Sequence, residues 1–258
     1  MEFLDNIELP HSWKDITVEG FKELKSIDTA ELGFFGAQLE RFCILAGIDS
    51  DDDRIEDIPI SVLNKYIAKP QFLNLEPSLQ VRNKVSEFTL MPFTKLTLGA
   101  YIDIDKWLEN QIENFNKIIA VLYRRTRENE WGEIEYEPYR YDINKRAELF
   151  EYIYIEDVYA AYIEFVKFRN NIIERYKFLF DTDEEGELTE EESEGLEQEY
   201  INDLNEYLKK LEEKKKFAWQ DLAYKLAGED ITKMRDVLEL PVIMVFNTLA
   251  MNKIMGQE

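Results

Sequence analysis

Leu96–Thr126, LTLGAYIDIDKWLENQIENFNKIIAVLYRRT, is the stretch whose reading decides the fold. Its apolar residues recur at three- and four-residue spacing, the signature of an amphipathic helix. In its first part Leu98, Ile102 and Leu108 share a face with Tyr101, and in its second Phe115, Ile118, Ile119, Leu122 and Tyr123 do the same. The spacing predicts a short helix, a turn and a second helix, with Asn114 or Asn116 placed to cap the second. Its residues are suited to packing, and none has the character of a catalyst.

Outward from this stretch the same period dominates. Thr17 is placed to cap a helix that presents Phe21 and Leu24 on one side. A longer helix is expected from Thr29 to Ala46, capped by Thr29, with Leu32, Phe35, Leu39, Phe42 and Cys43 on one stripe and Gly47 as its stop. Pro59 suits the first turn of another helix, IPISVLNKYIAK. Towards the end, YDINKRAELFEYI precedes a broad stripe of Val158, Ala161, Tyr162, Phe165, Val166, Phe168 and Ile172. A helix of about 30 residues, hence about 45 Å long, is expected to begin with Leu204, Leu208 and Leu211 and to end at Gly228. Two short helices broken at Pro241 close the chain.

The period changes to two in only two places. Lys84–Met91 sets Val85, Glu87, Thr89 and Met91 against Phe88 and Leu90, a strand signal. Trp131–Tyr141, WGEIEYEPYRY, is a second candidate, and Pro138 assigns it an edge or loop position. The fold class expected is therefore mainly α, with a small β-hairpin or short sheet in the middle of the chain. Composition divides it into an N-terminal helical module over residues 1–80, a central helical module with short β elements over 81–180, an acidic linker over 181–199 and a C-terminal helical module over 200–258. No repeat at a fixed period is visible.

The 258 residues carry 31 basic and 54 acidic side chains, a formal charge of −23. That charge repels nucleic-acid phosphates and anionic membranes and attracts basic partners. The bland account of it is a solubility surface. Cys43 is the one cysteine, which rules out an internal disulfide, and Glu2 and Asp5 flank the first apolar residues where a signal peptide would be basic. A reducing, cytosolic compartment is the expectation. No apolar run approaches the roughly 20 residues that span a bilayer.

His11 is the one histidine, so neither a zinc site nor a Ser-His-Asp arrangement has material to be built from. No phosphate-cradling glycine loop is present. The many carboxylates say nothing specific about a glycosidase-type pair. The sharpest local motif is DTDEEGELTEEE, which sets Asp181, Asp183, Glu185 and Glu192 at the oxygen-ligand positions of a calcium loop, with Gly186 at its turn. Against it stand the length of Glu185, Ser193 where an apolar residue starts an exit helix, and the lack of a second loop to pair with. A solvated acidic linker is the favoured reading, and no catalytic, cofactor-binding or metal-binding residue is assigned.

Five phrases resemble tail assembly proteins, or tail assembly chaperones, of tailed bacteriophages. They are LTLGAYID at Leu96–Asp103, NKIIAVLYR at Asn116–Arg124, the run from Ile44 to Leu73, YDINKRAELF at Tyr141–Phe150, and the W-x-x-L-x-x-x-LA-x-x-DITK-x-x-x-VL pattern at Trp219–Leu238. The resemblance runs from about Thr17 to Lys253 and contains no catalytic signature. It implies a non-enzymatic helical protein, without a cofactor, that binds the tape-measure protein or other tail components during virion morphogenesis in the host cytoplasm. Alternatives are a permanent virion component, such as a connector, ring or packaged protein present in several copies, and an acidic DNA mimic. Direct nucleic-acid and membrane contact are not expected, and a homo-oligomer is compatible with each of these roles.

Overall fold

The Leu96–Thr126 stretch does form a helix, a turn and a helix in the computed structural model, which describes residues 7–56, 58–68, 70–179 and 219–256. Within it α5 spans Leu98–Trp107 and α6 spans Phe115–Leu122. Every residue of α6 but Lys117 is buried, which its eight-residue run FNKIIAVL makes possible. In α5 the buried stripe is Leu98, Tyr101 and Ile104. Ile102 and Leu108 are only half-buried, so the expected face is rotated towards the 98–101–104 row. Asn114 takes the N-cap position of α6 without a side-chain bond to a helix amide, and Asn116 is buried instead of capping.

Before this stretch come α1 (Val18–Ser26), α2 (Thr29–Ala46), α3 (Asp53–Glu56) and α4 (Ile60–Ile67). Thr17 caps α1 as expected, its Oγ1 accepting from Gly20 N at 3.2 Å. The cap of α2 is Asp28 and not Thr29: its carboxylate accepts from Ala30 N at 2.8 Å and Glu31 N at 3.2 Å, a stronger acceptor one residue earlier. Gly47 ends α2 in the left-handed conformation, and Pro59 precedes α4.

After it come α7 (Ile143–Glu151), α8 (Ile155–Arg175), a helical run at 219–226 called α9, α10 (Met234–Leu238) and α11 (Val242–Met255). Pro241 separates α10 from α11 as the sequence indicates. The long helix expected from Leu204 is described only from Trp219 onward, so Leu204, Leu208 and Leu211 lie outside the described residues.

The β structure sits in the middle of the chain, as expected, in two small antiparallel sheets. In one, β1 (Lys84–Val85), β2 (Phe88–Leu90) and β3 (Tyr123–Arg124) lie in the order β1-β2-β3, with Val85 opposite Phe88 and Leu90 opposite Tyr123. The single strand expected over Lys84–Met91 is thus a hairpin, turned at Ser86, whose φ is 53°. The other sheet pairs β4 (Thr126–Glu128) with β5 (Ile134–Tyr136), the latter inside the Trp131–Tyr141 candidate. Pro138 falls just beyond β5, consistent with the missing amide donor of proline.

By internal contacts the chain forms two compact units, one of residues 1–93 with 104–169 and the other of 94–103 with 170–258. Each unit is made of two separate stretches of chain, with boundaries within α5 and towards the end of α8.

One arrangement occurs in both units. Thr17 forms an isolated antiparallel bridge with Tyr154, and Thr97 forms one with Pro241. Val18 N donates to Ile153 O and Ile155 N to Ile16 O, at 2.8 and 2.9 Å; Leu98 N donates to Leu240 O and Val242 N to Leu96 O, both at 2.8 Å. Each threonine caps the helix that follows it, Thr97 accepting from Ala100 N at 3.3 Å as Thr17 does from Gly20 N. Each bridge also starts a second helix, α8 or α11. The aromatic packing repeats too. Phe21 lies 5.4 Å from Phe115 and 5.8 Å from Tyr159, while Tyr101 lies 5.8 Å from Trp219 and 6.0 Å from Phe246. Thus α1 and α8 correspond to α5 and α11, and Phe115 at the start of α6 to Trp219 at the start of α9. The two copies of each landmark are separated by different lengths of chain, so no fixed period appears in the sequence.

Candidate functional site

Polar groups buried in the first unit are used to hold it together. α6 ends against β3, which would leave its last carbonyls without helical donors. Arg146 of α7 supplies one, its Nε donating to Ala120 O at 2.8 Å, while Nη2 donates to Tyr139 O at 2.7 Å and Nη1 to Tyr141 O at 3.0 Å and Glu137 Oε2 at 3.2 Å. Arg124 adds a bond from Nε to Val121 O at 2.9 Å. Both cations thereby sit at the negative end of the α6 dipole. Asn116 Nδ2 donates to Glu151 Oε1 at 2.9 Å and Ala147 O at 3.4 Å. The NKIIAVLYR and YDINKRAELF phrases are therefore two sides of one packed joint.

A groove of about 600 Å³ opens beside this joint, lined by Arg125, Asp142, Lys145, Arg146, Glu148, Leu149, Glu151 and Tyr152. Several of its charges are already paired. Arg125 meets Glu87, Arg146 meets Glu137, Lys145 meets Asp142 and Glu151 meets Lys22. Burial lowers the affinity of Arg146 for its proton, the Glu137 charge opposing that shift. None of this supplies a nucleophile beside a base.

The apolar surface is more informative. At Gly33 the backbone of α2 breaks, with φ 69° and ψ 173°, a conformation essentially confined to glycine. A Cβ there would meet nothing within 4 Å, so the demand is conformational and not steric. Beyond the break Ala37, Phe42, Cys43 and Leu45 are buried. At the break Leu32, Phe34 and Phe35 are exposed, Phe34 by 77%. The expected stripe thus divides: Phe42 and Cys43 are core, whereas Leu32 and Phe35 lie on the surface, because a stripe holds its face only while the helix is continuous. The signal available in the sequence was the bracketing of Phe34 and Phe35 by Gly33 and Gly36.

A second exposed aromatic crowns the β4–β5 hairpin. Asn129 Oδ1 accepts from Trp131 N at 3.0 Å and Glu133 N at 2.9 Å, while Gly132 takes φ 79°. Arg127 opposes Glu135 in register and pairs with it at 2.7 Å. Hydrogen bonds from Arg127, then Asn129, hold the Glu135 carboxyl below its usual range. The turn is thus internally braced, and it leaves Trp131 80% exposed.

Asp181, Asp183, Glu185 and Glu192 of the calcium-loop pattern lie outside the described residues. His11 is exposed, its backbone amide donating to Asp15 Oδ2 at 3.0 Å. Among the described residues no group of three or more His, Cys, Asp and Glu side chains is placed to hold a metal ion. No helix among them is long and apolar enough to cross a membrane. Comparison with known protein families, with curated proteins and with solved structures yields no match.

Proposed function

We propose that this chain is a non-enzymatic assembly protein of a tailed bacteriophage, which binds tail components such as the tape-measure protein in the host cytoplasm while the virion is built. The observation that carries the reading is the apolar patch of Leu32, Phe34 and Phe35 at the Gly33 break. Adjacent aromatic side chains held outside the core are the usual anchors of a protein interface. The five phrases that resemble tail assembly proteins support the same role, and the charge of −23 favours a partner with a basic rim.

Co-expression with the tape-measure protein of the same phage tests this. A soluble complex is expected to co-elute with the wild-type chain. Replacing Phe34 and Phe35 by Ser is expected to weaken it by at least about a hundredfold, the loss of two hot-spot aromatics. Absence of a complex with the intact chain refutes the reading. Mass spectrometry of purified virions separates an assembly factor, which is absent from finished particles, from a permanent virion component, which is retained.

A further inference from the structure

Between Leu24 and Ala37 no residue is buried, so core packing does not set the path of the chain from Asp28 to Phe35. Backbone chemistry sets it instead. Asp28 caps the first turn, and Leu32 N donates to Asp28 O at 3.1 Å. Gly33 then leaves the helix in a conformation essentially confined to glycine. Gly36 admits the bend from the other side. A Cβ at residue 36 would lie 3.2 Å from the Leu32 Cβ, whereas residues four apart in a continuous helix keep these atoms about 5–6 Å apart. The bend thus brings Leu32 down onto Gly36, where a side chain would crowd it. Both glycines suit the bent form, and both are poor residues for a straight helix.

We propose that Gly33 and Gly36 are the positioning residues of the docking patch: the partner recognises the bent form of α2, and a straight α2 does not bind. This rests on the assembly reading given above. A straight helix from Thr29 to Ala46 would carry Leu32 and Phe35 round to the arc of Leu39, Phe42 and Cys43, and would turn Phe34 about 100° away from Phe35. No side chain is lost, yet the three apolar groups no longer form the surface present at the break. A break in a helix gives up backbone hydrogen bonds, and here no buried residue between Leu24 and Ala37 offsets them. The bend therefore does not serve the stability of this fold; it serves the display of Leu32, Phe34 and Phe35.

Gly33→Ala is the main test, and Gly36→Ala reaches the same point by crowding and not by φ. Each keeps all three apolar side chains. Chymotrypsin acting on the free full chain reads the bend, because it cuts after Phe where the backbone can leave the helix. Cleavage after Phe34 or Phe35, identified by mass spectrometry, is expected to slow at least about tenfold in Gly33→Ala and by less in Gly36→Ala. Affinity is measured against the tape-measure protein of the same phage. Gly33→Ala is expected to weaken it at least about tenfold with the melting temperature unchanged or raised, a split that a merely structural glycine would not give. Cleavage as fast as in wild type overturns the proposal, as does an unchanged affinity once cleavage has slowed. A lowered melting temperature assigns Gly33 to the stability of the fold and overturns it as well. A wild-type chain that forms no complex refutes the assembly reading itself, and the proposal falls with it.

Discussion

Cys43 shows what burial does to one group in a chain this acidic. It lies in FCILAGI, and its burial was legible from that run alone. Burial, followed by the charges of Glu40, Asp49 and Asp52, pushes its thiol up to about 11. The native chain therefore holds this proton more tightly than the unfolded chain does. Below the ordinary thiol range the two states bind it equally, and between about pH 9 and 11 the unfolded state alone releases it, so stability falls as pH rises through that window. A thiol reagent at pH 8 should leave the folded chain unmodified and label one thiol per chain in denaturant. The alkaline loss of stability should be smaller in Cys43→Ala than in wild type, as read from urea midpoints. Rapid labelling of the folded chain at pH 8 would show that Cys43 is accessible. Arg146 was not legible in this way. In RAELF it reads as the polar side of an amphipathic helix, yet its guanidinium is buried because the carbonyls of Ala120, Tyr139 and Tyr141 converge on it from elsewhere in the chain. A convergence of that kind is non-local, and residue spacing does not encode it.

The start of α1 was legible because Thr17 makes its cap, whereas Thr97, which caps α5 in the same way by bonding an amide three residues ahead, was not read as one. Each also holds its segment in the extended pairing with the start of α8 or α11. Thr17→Ala and Thr97→Ala should each remove about 1 kcal/mol, the ordinary worth of such a cap. Their equivalence predicts losses of similar size at the two sites, with Thr→Ser retaining most of the stability. Chemical denaturation of the four variants measures this, and a loss at one threonine with none at the other would argue against structural equivalence. Strands were less legible than helices. The Trp131–Tyr141 signal did contain β5, but its partner β4 begins at the last residue of a stretch whose periodicity is helical. With two or three residues each, these strands are defined by their partners more than by their own alternation. The exposed residues of the candidate interface were hidden by the same kind of limit, since Gly33 breaks the register that a helical stripe assumes.

At the scale of the whole molecule, the recurring arrangement escaped a search for fixed periods because its landmarks retain chemistry and not identity or spacing. Phe21, Phe115 and Tyr159 are answered by Tyr101, Trp219 and Phe246, each substitution an aromatic for an aromatic. The second copy is also divided in sequence, because Leu96–Tyr101 lies between the two segments of the first unit while its bridge and ring partners come near the chain's end. A truncation after Leu179 therefore does more than remove terminal helices. It takes away Leu240 and Val242, which hydrogen-bond Leu98 and Leu96, and Trp219 and Phe246, which pack on Tyr101. Leu96, Leu98 and Tyr101 are almost wholly buried in the intact chain, and each would gain apolar exposure at about 25 cal/mol per Å². By contrast, the Thr17–Tyr154 bridge and the Phe21–Phe115–Tyr159 packing lie entirely within the retained residues. Hydrogen exchange followed by mass spectrometry should then show the 96–101 peptide losing about a hundredfold or more of its protection in the fragment, while peptides covering α1 and α6 keep theirs. If all of them lose protection together, the first unit does not fold without the second. If the 96–101 peptide stays protected, its burial does not depend on α9 and α11, and the correspondence between the two units fails at its central element.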